Sequence, residues 1–324
     1  MRTTRYRGAL RWLSFVCAMI VAASSSQFAT AQDSTPEPPG DSEVTTQLPA
    51  ADLPNINEQG YLFELESTWT GSFDTVPREA PVYQMNLPTH DPGSVDQMAS
   101  RLGIEGEVVD QGSGTFQVEG ETGTLFVTGG LEQYTSSAEI PEGDLPADDQ
   151  AVAFAREWLR QTQLLPADAG EGSVVARVEE PARIIVTIEP ISPENLLSAY
   201  PSITIIMGPD ALVLEASFRW STLSTTDTYS LRPVDSAWTE VAEKRSYLQA
   251  EVPEGVAEPG TTIAGQSVYN SVSIGYTTSG IPGETQYLQP VYVFAGTLMP
   301  EGSDSSYPIT AFVPALVNSQ QPVG

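Results

Sequence analysis

One imidazole stands in this sequence. His90 lies in Pro88-Thr89-His90-Asp91-Pro92, with a carboxylate immediately after it. A histidine titrates near neutral pH and can move protons when a carboxylate steers it. Sequence neighbours seldom face each other productively, so the competing reading is a loop residue beside a helix cap. Paired carboxylates are the other raw material. Glycoside hydrolysis needs two, at a separation set by the fold. Glu64 and Glu66 point to one side of an expected strand, as do Glu119 and Glu121 if that strand continues. With 42 acidic residues such pairs arise by chance, and solvated surface is the ordinary reading. Asp144, Asp148 and Asp149 form one loose acidic loop, and Glu301, Asp304 and Ser305 another. Calcium needs several converging oxygens, but the EF-hand spacing is absent and both loops read as turns and caps. Trp69, Trp158, Trp220 and Trp238 could stack on sugars. Trp158 and Trp238 fall on helical apolar stripes, and packing is the safer reading for all four.

Other chemistries are missing. No serine sits in a Gly-x-Ser-x-Gly elbow, and Gly112-Ser113-Gly114 is a turn. The single lysine, Lys244, has Val241 three residues before it, which excludes a Ser-x-x-Lys pair. There is no P-loop and no dinucleotide fingerprint. One Cys and one His exclude zinc clusters. Catalytic residues, cofactor-binding residues and metal ligands are all therefore expected to be none.

The chain has 324 residues, 14 basic and 42 acidic, for a net charge of −28. Such acidity argues against nucleic-acid binding, which needs a basic footprint. The apolar fraction, 40%, is enough for a real core. Arg2, Arg5, Arg7 and Arg11 precede an apolar run from Leu13 to Ala23, and Ala29-Thr30-Ala31 supplies a small-x-small site. That order describes a secretory signal, residues 1–31, cleaved after Ala31. The alternative is a retained anchor, although the run is short for a membrane span. Cleavage removes four arginines, taking the net charge from −28 to −32. It also removes Cys17, which is poorly placed for lipidation, and with it any disulfide. The expected location is extracellular or the cell envelope, with no stable membrane span once the signal is cleaved.

Residues 32–58 are rich in Pro, Ser, Thr, Asp and Glu and read as a flexible acidic tether. Beyond it, β-prone runs alternate with three helical stripes. The first helix covers Val95, Met98, Ala99 and Leu102. The second runs from Asp148 or Asp149 through Ala151, Ala155, Trp158 and Leu159. The third begins at Asp235 or Ser236 and carries Trp238, Val241, Ala242, Arg245 and Leu248. Each is followed by short strands. The expected fold class is α+β: a helix then antiparallel strands, repeated, with every twisted sheet covered by a helix. A Pro/Asp/Gly break near 145 divides it into domains 59–145 and 146–324, or leaves one continuous domain.

The helix Asp148 to Leu164, with Ala151, Ala155 and Leu159 as core positions, resembles PepSY-type modules. The strands Leu288-Gln289-Pro290-Val291-Tyr292-Val293-Phe294 and Tyr307-Pro308-Ile309-Thr310-Ala311-Phe312-Val313 resemble the C-terminal strands of YycI-like accessory regulators of envelope sensor kinases. The resemblance covers about a quarter of the chain. It implies a non-catalytic regulatory or binding role on another envelope protein, and carries over no catalytic residue. Those regulators keep an N-terminal anchor, whereas residues 1–31 look cleavable. The leading expectation is an exported, non-enzymatic protein that binds a protein partner, with Leu288–Leu298 as an exposed edge for strand pairing. The alternatives are a carboxylate-based hydrolase of extracellular polysaccharide and a cation-binding surface protein.

Overall fold

The structure is a computed structural model, and it describes residues 48–53, 60–253, 256–258, 260–280 and 285–316. The expected export signal lies outside the described residues, as does the expected tether apart from 48–53. Those six residues are held against the body: the Asp52 amide donates to Thr278 O at 2.8 Å, and Gln289 Nε2 donates to Pro49 O at 2.7 Å.

β1 (Leu62–Trp69) and β2 (Glu79–Asn86) precede α1 (Pro92–Arg101). Then come β3 (Val108–Gly112), β4 (Thr115–Glu119), β5 (Gly123–Thr128) and β6 (Leu131–Ser136). After α2 (Asp148–Gln161) the chain forms β7 (Ser173–Val178), β8 (Arg183–Ile188), β9 (Ser202–Met207), β10 (Val213–Arg219) and β11 (Thr222–Ser230). α3 (Val234–Ala242) is followed by β12 (Tyr247–Ala250), β13 (Thr262–Ser279), β14 (Gln286–Pro300) and β15 (Tyr307–Pro314).

The expected α+β repeat is overturned. The described residues are 47% strand and 14% helix, and the strands form two large sheets. One sheet has eight strands in the order β3-β4-β5-β6-β10-β9-β8-β7. The other has seven: β1-β13-β14-β15-β12, with β2 joined to β14 and β11 joined to β2. The reason is long-range pairing. β1 runs parallel to β13, Leu62 opposite Thr262, and β2 runs antiparallel to β11, Asn86 opposite Thr222. A local pattern of helix then strands cannot reveal a partner some two hundred residues away. The break near 145 falls between β6 and β7, which belong to the same sheet.

The Leu288–Leu298 edge is corrected too. β14 is internal, with β13 on one side and β15 on the other, Phe294 lying opposite both Val272 and Ala311. Its continuous apolar run fits such a strand, covered on both sides.

Local chemistry explains the helices. Asp91 accepts the Ser94 amide at 2.7 Å and Ser94 Oγ accepts the Asp91 amide at 2.9 Å, a reciprocal box that starts α1. Neither Asp148 nor Asp149 caps α2. Both lie in its first turn behind Ala147, where they complement the helix dipole. α3 begins after Pro233 and stops at Ala242, well short of Leu248. Lys244 adopts φ 60°, the chain reverses, and Leu248 enters β12 opposite Ala311.

Each sheet has its own core. Val95 and Ala99 of α1 and Ala151, Ala155 and Leu159 of α2 pack with Ile184, Val186, Ile203 and Ile205. Ala237 and Val241 of α3 pack with Leu65, Tyr269, Tyr292 and Phe294. A smaller cluster of Met85, Tyr276 and Leu288, with Leu196 and Tyr200 against it, lies where the β8–β9 loop meets the second sheet. There the Leu197 amide donates to Tyr276 O at 2.8 Å and the Tyr276 amide to Asn195 O at 2.9 Å.

Candidate functional site

Two groups of functional side chains stand out. The first surrounds His90, on the crossover from β2 to α1. His90 Nε2 donates to Glu132 Oε1 at 2.7 Å, with the two side chains 14% and 6% exposed. Asp91 does not steer the ring, because its carboxylate is engaged by Ser94. That engagement holds Asp91 below the usual carboxylate range, the Ser94 amide being the main cause. Glu132 sits in β6, opposite Phe218 of β10.

Tyr200 and Ser221 complete this group. Burial, reinforced by the charge of Glu132, pushes the Tyr200 phenol up to about 12, although the Ser221 hydroxyl and Arg219 oppose the shift. The two hydroxyls are buried, yet neither reaches full hydrogen-bond geometry. Ser221 opens the return crossover from β10 to β11, so both connections between the sheets pass this cluster. The sequence reading missed Glu132, Tyr200 and Ser221. A signal existed for Glu132: in β6 the inward phase falls on Glu132 and Tyr134, and a carboxylate in that phase demands a partner.

The second group is an open groove of about 670 Å³ on the outer face of the seven-stranded sheet. Glu64 and Glu66 of β1 line it as expected, on the same exposed side of the strand. Glu301, at the end of β14, and Lys244, after α3, line it too. The fold thus joins one expected carboxylate pair to one residue of an expected cation loop. Asp304 does not line it, whereas Ser303 does. The other acids disperse. Glu119 ends β4 and Glu121 lies beyond it, so that strand does not continue through the pair. Asp148 Oδ1 accepts from Arg177 Nε at 2.8 Å, which leaves Asp144 and Asp149 as exposed loop and helix-start residues. Among the described residues no group of three or more His, Cys, Asp or Glu side chains could hold a metal ion.

The tryptophans are packing residues. Trp69 stacks on Phe73 at 4.6 Å and lies 5.5 Å from Trp238, which also meets Tyr269. Trp158 lies 5.8 Å from Tyr134, and Trp220 is partly buried against the core of the eight-stranded sheet. No aromatic ring is among the described residues lining the acidic groove.

No family model matches the chain, and no curated protein matches it. Among solved structures it is similar to a crystal structure of an uncharacterised protein from Eubacterium rectale, at 10% identity and a TM-score of 0.42. The match covers 80% of this chain and 91% of that one. So slight a likeness assigns neither a fold nor a function. Among the described residues no helix is long and apolar enough to cross a membrane.

Proposed function

We propose that this chain is an exported, non-enzymatic binding protein that acts on another protein of the cell envelope or exterior. The observation that carries this reading is the open groove of Glu64, Glu66 and Glu301. Three carboxylates face one ammonium there, on residues drawn from three separate parts of the chain. Unpaired like charges at an exposed surface are poised for a cationic partner, since complementary potentials steer and orient encounter. The imidazole, the side chain best suited to proton transfer, is held in a buried pair with Glu132 and is not among the residues lining the groove. The resemblance of the second helix and the C-terminal strands to exported accessory regulators points the same way.

A second reading has one observation in its favour. Glu64 and Glu66 share a groove, as a carboxylate-based hydrolase requires. The absence of ring-stacking side chains from the described lining weighs against a sugar substrate.

In-cell crosslinking of the full-length protein, with mass spectrometry of captured proteins and of its own N-terminus, tests the proposal. The expected result is one reproducible envelope or secreted partner, lost when Glu64, Glu66 and Glu301 are all changed to Lys. An N-terminus at Gln32 would establish a released form. Mature protein free in the medium with no partner would overturn the binding reading and move attention to polysaccharide hydrolysis.

A further inference from the structure

Side chains alternate between the two faces of the eight-stranded sheet. Leu125 and Val127, Ile184 and Val186, and Ile205 and Met207 turn to the face that α1 and α2 cover. Phe126, Ile185 and Ile206 lie between them in the chain and turn to the opposite face, as does Leu131 beside Glu132. These four are partly buried, yet they belong to none of the three core clusters. Gln133, Ser217, Thr204 and Thr187 stand opposite one another across the middle of that face, on β6, β10, β9 and β8. Among the described residues their side chains have no hydrogen-bond partner. Charge also sets the face apart. Its strands carry Glu119 and Glu215 against Arg183 and Arg219, in a chain of 42 acids and 14 bases. The outer face of the seven-stranded sheet, by contrast, holds Glu64, Glu66 and Glu301.

We infer that this face packs on the same face of a second copy of the chain, giving a symmetric dimer, sheet on sheet. Two copies at a net charge of −28 repel each other, and a face with surplus acid would bring like charges together. The balanced face avoids that. Its size fits as well. Eight strands about 4.8 Å apart, each about six residues long at about 3.3 Å per residue, span about 38 Å by about 20 Å, or roughly 750 Å². A standard interface takes about 800 Å² from each partner. Such interfaces have cores poor in charge rather than unusually apolar, which describes this mixture of Thr, Ser, Gln, Ile and Phe. Two twisted sheets stack with their strands about 30° apart, which lets facing side chains interdigitate. Phe126 and Ile206 would leave water there, and Gln133 and Ser217 would find hydrogen-bond partners.

Other occupants fit less well. A strongly charged partner gains no steering from a face whose charges cancel. A sugar polymer calls for stacking rings, and Phe126 is the one aromatic residue that the described strands place on this face. The dimer face and the acidic groove belong to different sheets, so dimerisation neither needs nor replaces the binding reading above.

The test is sedimentation velocity of the full chain, from about 1 μM to about 0.1 mM, at low and at high salt. The expected result is a reversible dimer that tightens as salt rises, because screening removes the repulsion between copies. Ser217→Glu places a charge near the centre of the interface and should weaken the dimer at least about tenfold. Gln133→Lys, on the neighbouring strand, should do the same with the opposite charge, and it gives a second reading should the first variant fail to fold. Ser217→Ala keeps the face neutral and should retain the dimer. Thr262→Glu adds the same charge as Ser217→Glu to an exposed position of the other sheet, and should leave the dimer within about twofold of wild type. A monomer at every concentration and salt would overturn the inference. So would a dimer unmoved by Ser217→Glu and Gln133→Lys, one that loosens in salt, or one weakened as much by Thr262→Glu as by Ser217→Glu.

Discussion

The His90–Glu132 junction and the Glu64–Glu66–Glu301–Lys244 groove are built from similar materials, carboxylates and a basic nitrogen side chain. They differ in access to water. Glu132 is 6% exposed and meets one imidazole at 2.7 Å, whereas the groove residues lie on an open surface without a common bond. At about 4 Å, opposite unit charges attract by roughly 1 kcal/mol in water and about 4 kcal/mol in the milieu of a protein surface. A buried pair is therefore committed to its partner, and its loss strands a charge. An exposed set stays available for exchange with another molecule. Similar residues thus serve architecture in one place and, under the proposed function, recognition in the other, and burial separates the two.

The largest expected effect breaks the junction. Removing one partner of a buried pair costs roughly 3–5 kcal/mol, because the other charge is left uncompensated. His90→Ala, which leaves Glu132 stranded, should fall in that range by urea denaturation. His90→Ala/Glu132→Leu should recover part of the loss, because no charge is then buried alone. If His90→Ala proves as mild as a groove variant, the contrast between the two regions is wrong.

Alkali offers a second way to separate them. Burial raises Tyr200 and Tyr292 to about 12, and Tyr269 and Tyr276 further still. Each folded-state value exceeds the ordinary one near 10, so the neutral phenol is favoured by folding. The stability they contribute is complete below pH 10 and is lost as pH rises through 10 to 12 and beyond. The share of tyrosinate absorbance that comes from these four should rise together with loss of structure, not before it. Tyr200→Phe removes one of these ionisations and should shift alkaline unfolding upward in pH, while Glu66→Gln leaves it in place.

A smaller effect attaches to Asp91, beside the junction. Its carboxylate is held low by the Ser94 amide, so its contribution is present above the usual carboxylate range and is lost as pH falls through its depressed value. Asp91→Ala should lower the melting temperature at neutral pH and narrow its difference from wild type in acid. An unchanged difference at low pH would show that the side chain acts by something other than its charge.

Much of the local structure was legible. Ser173–Val178, Arg183–Ile188 and Ser202–Met207, among the β-prone runs expected after the second helical stripe, are strands, and the stripe of Ala151, Ala155 and Leu159 lies in the core. Period and β-branching are local properties, so sequence shows them. Pairing is not local. Nothing within Leu62–Trp69 shows that it lies beside Thr262–Tyr269, and that pairing turned an expected α+β repeat into two large sheets. The same limit governed the sites. Glu64 and Glu66 were visible as a pair from their spacing, but Glu301 and Lys244 joined them through folding. His90 was visible as the one imidazole, while Glu132, 42 residues on, was hidden among 42 acids.

The smallest effect, and the one that most sharpens the comparison, belongs to the groove. Exposed substitutions away from special features stay within about 0.5 kcal/mol. Here the sign is also set. Glu66 has Glu64 two residues away on the same strand face and Glu301 in the same groove, against a single ammonium on Lys244. Removing its charge relieves repulsion, so Glu66→Gln should be neutral to slightly stabilising at low salt. The gain should vanish near 0.15 M salt, where screening acts over about 8 Å. Lys244→Gln should do the opposite, with the same salt dependence. A clear loss of stability in Glu66→Gln that persists in salt would mean that this carboxylate is fixed by a structural partner, as Glu132 is, and would count against the proposed binding role of the groove.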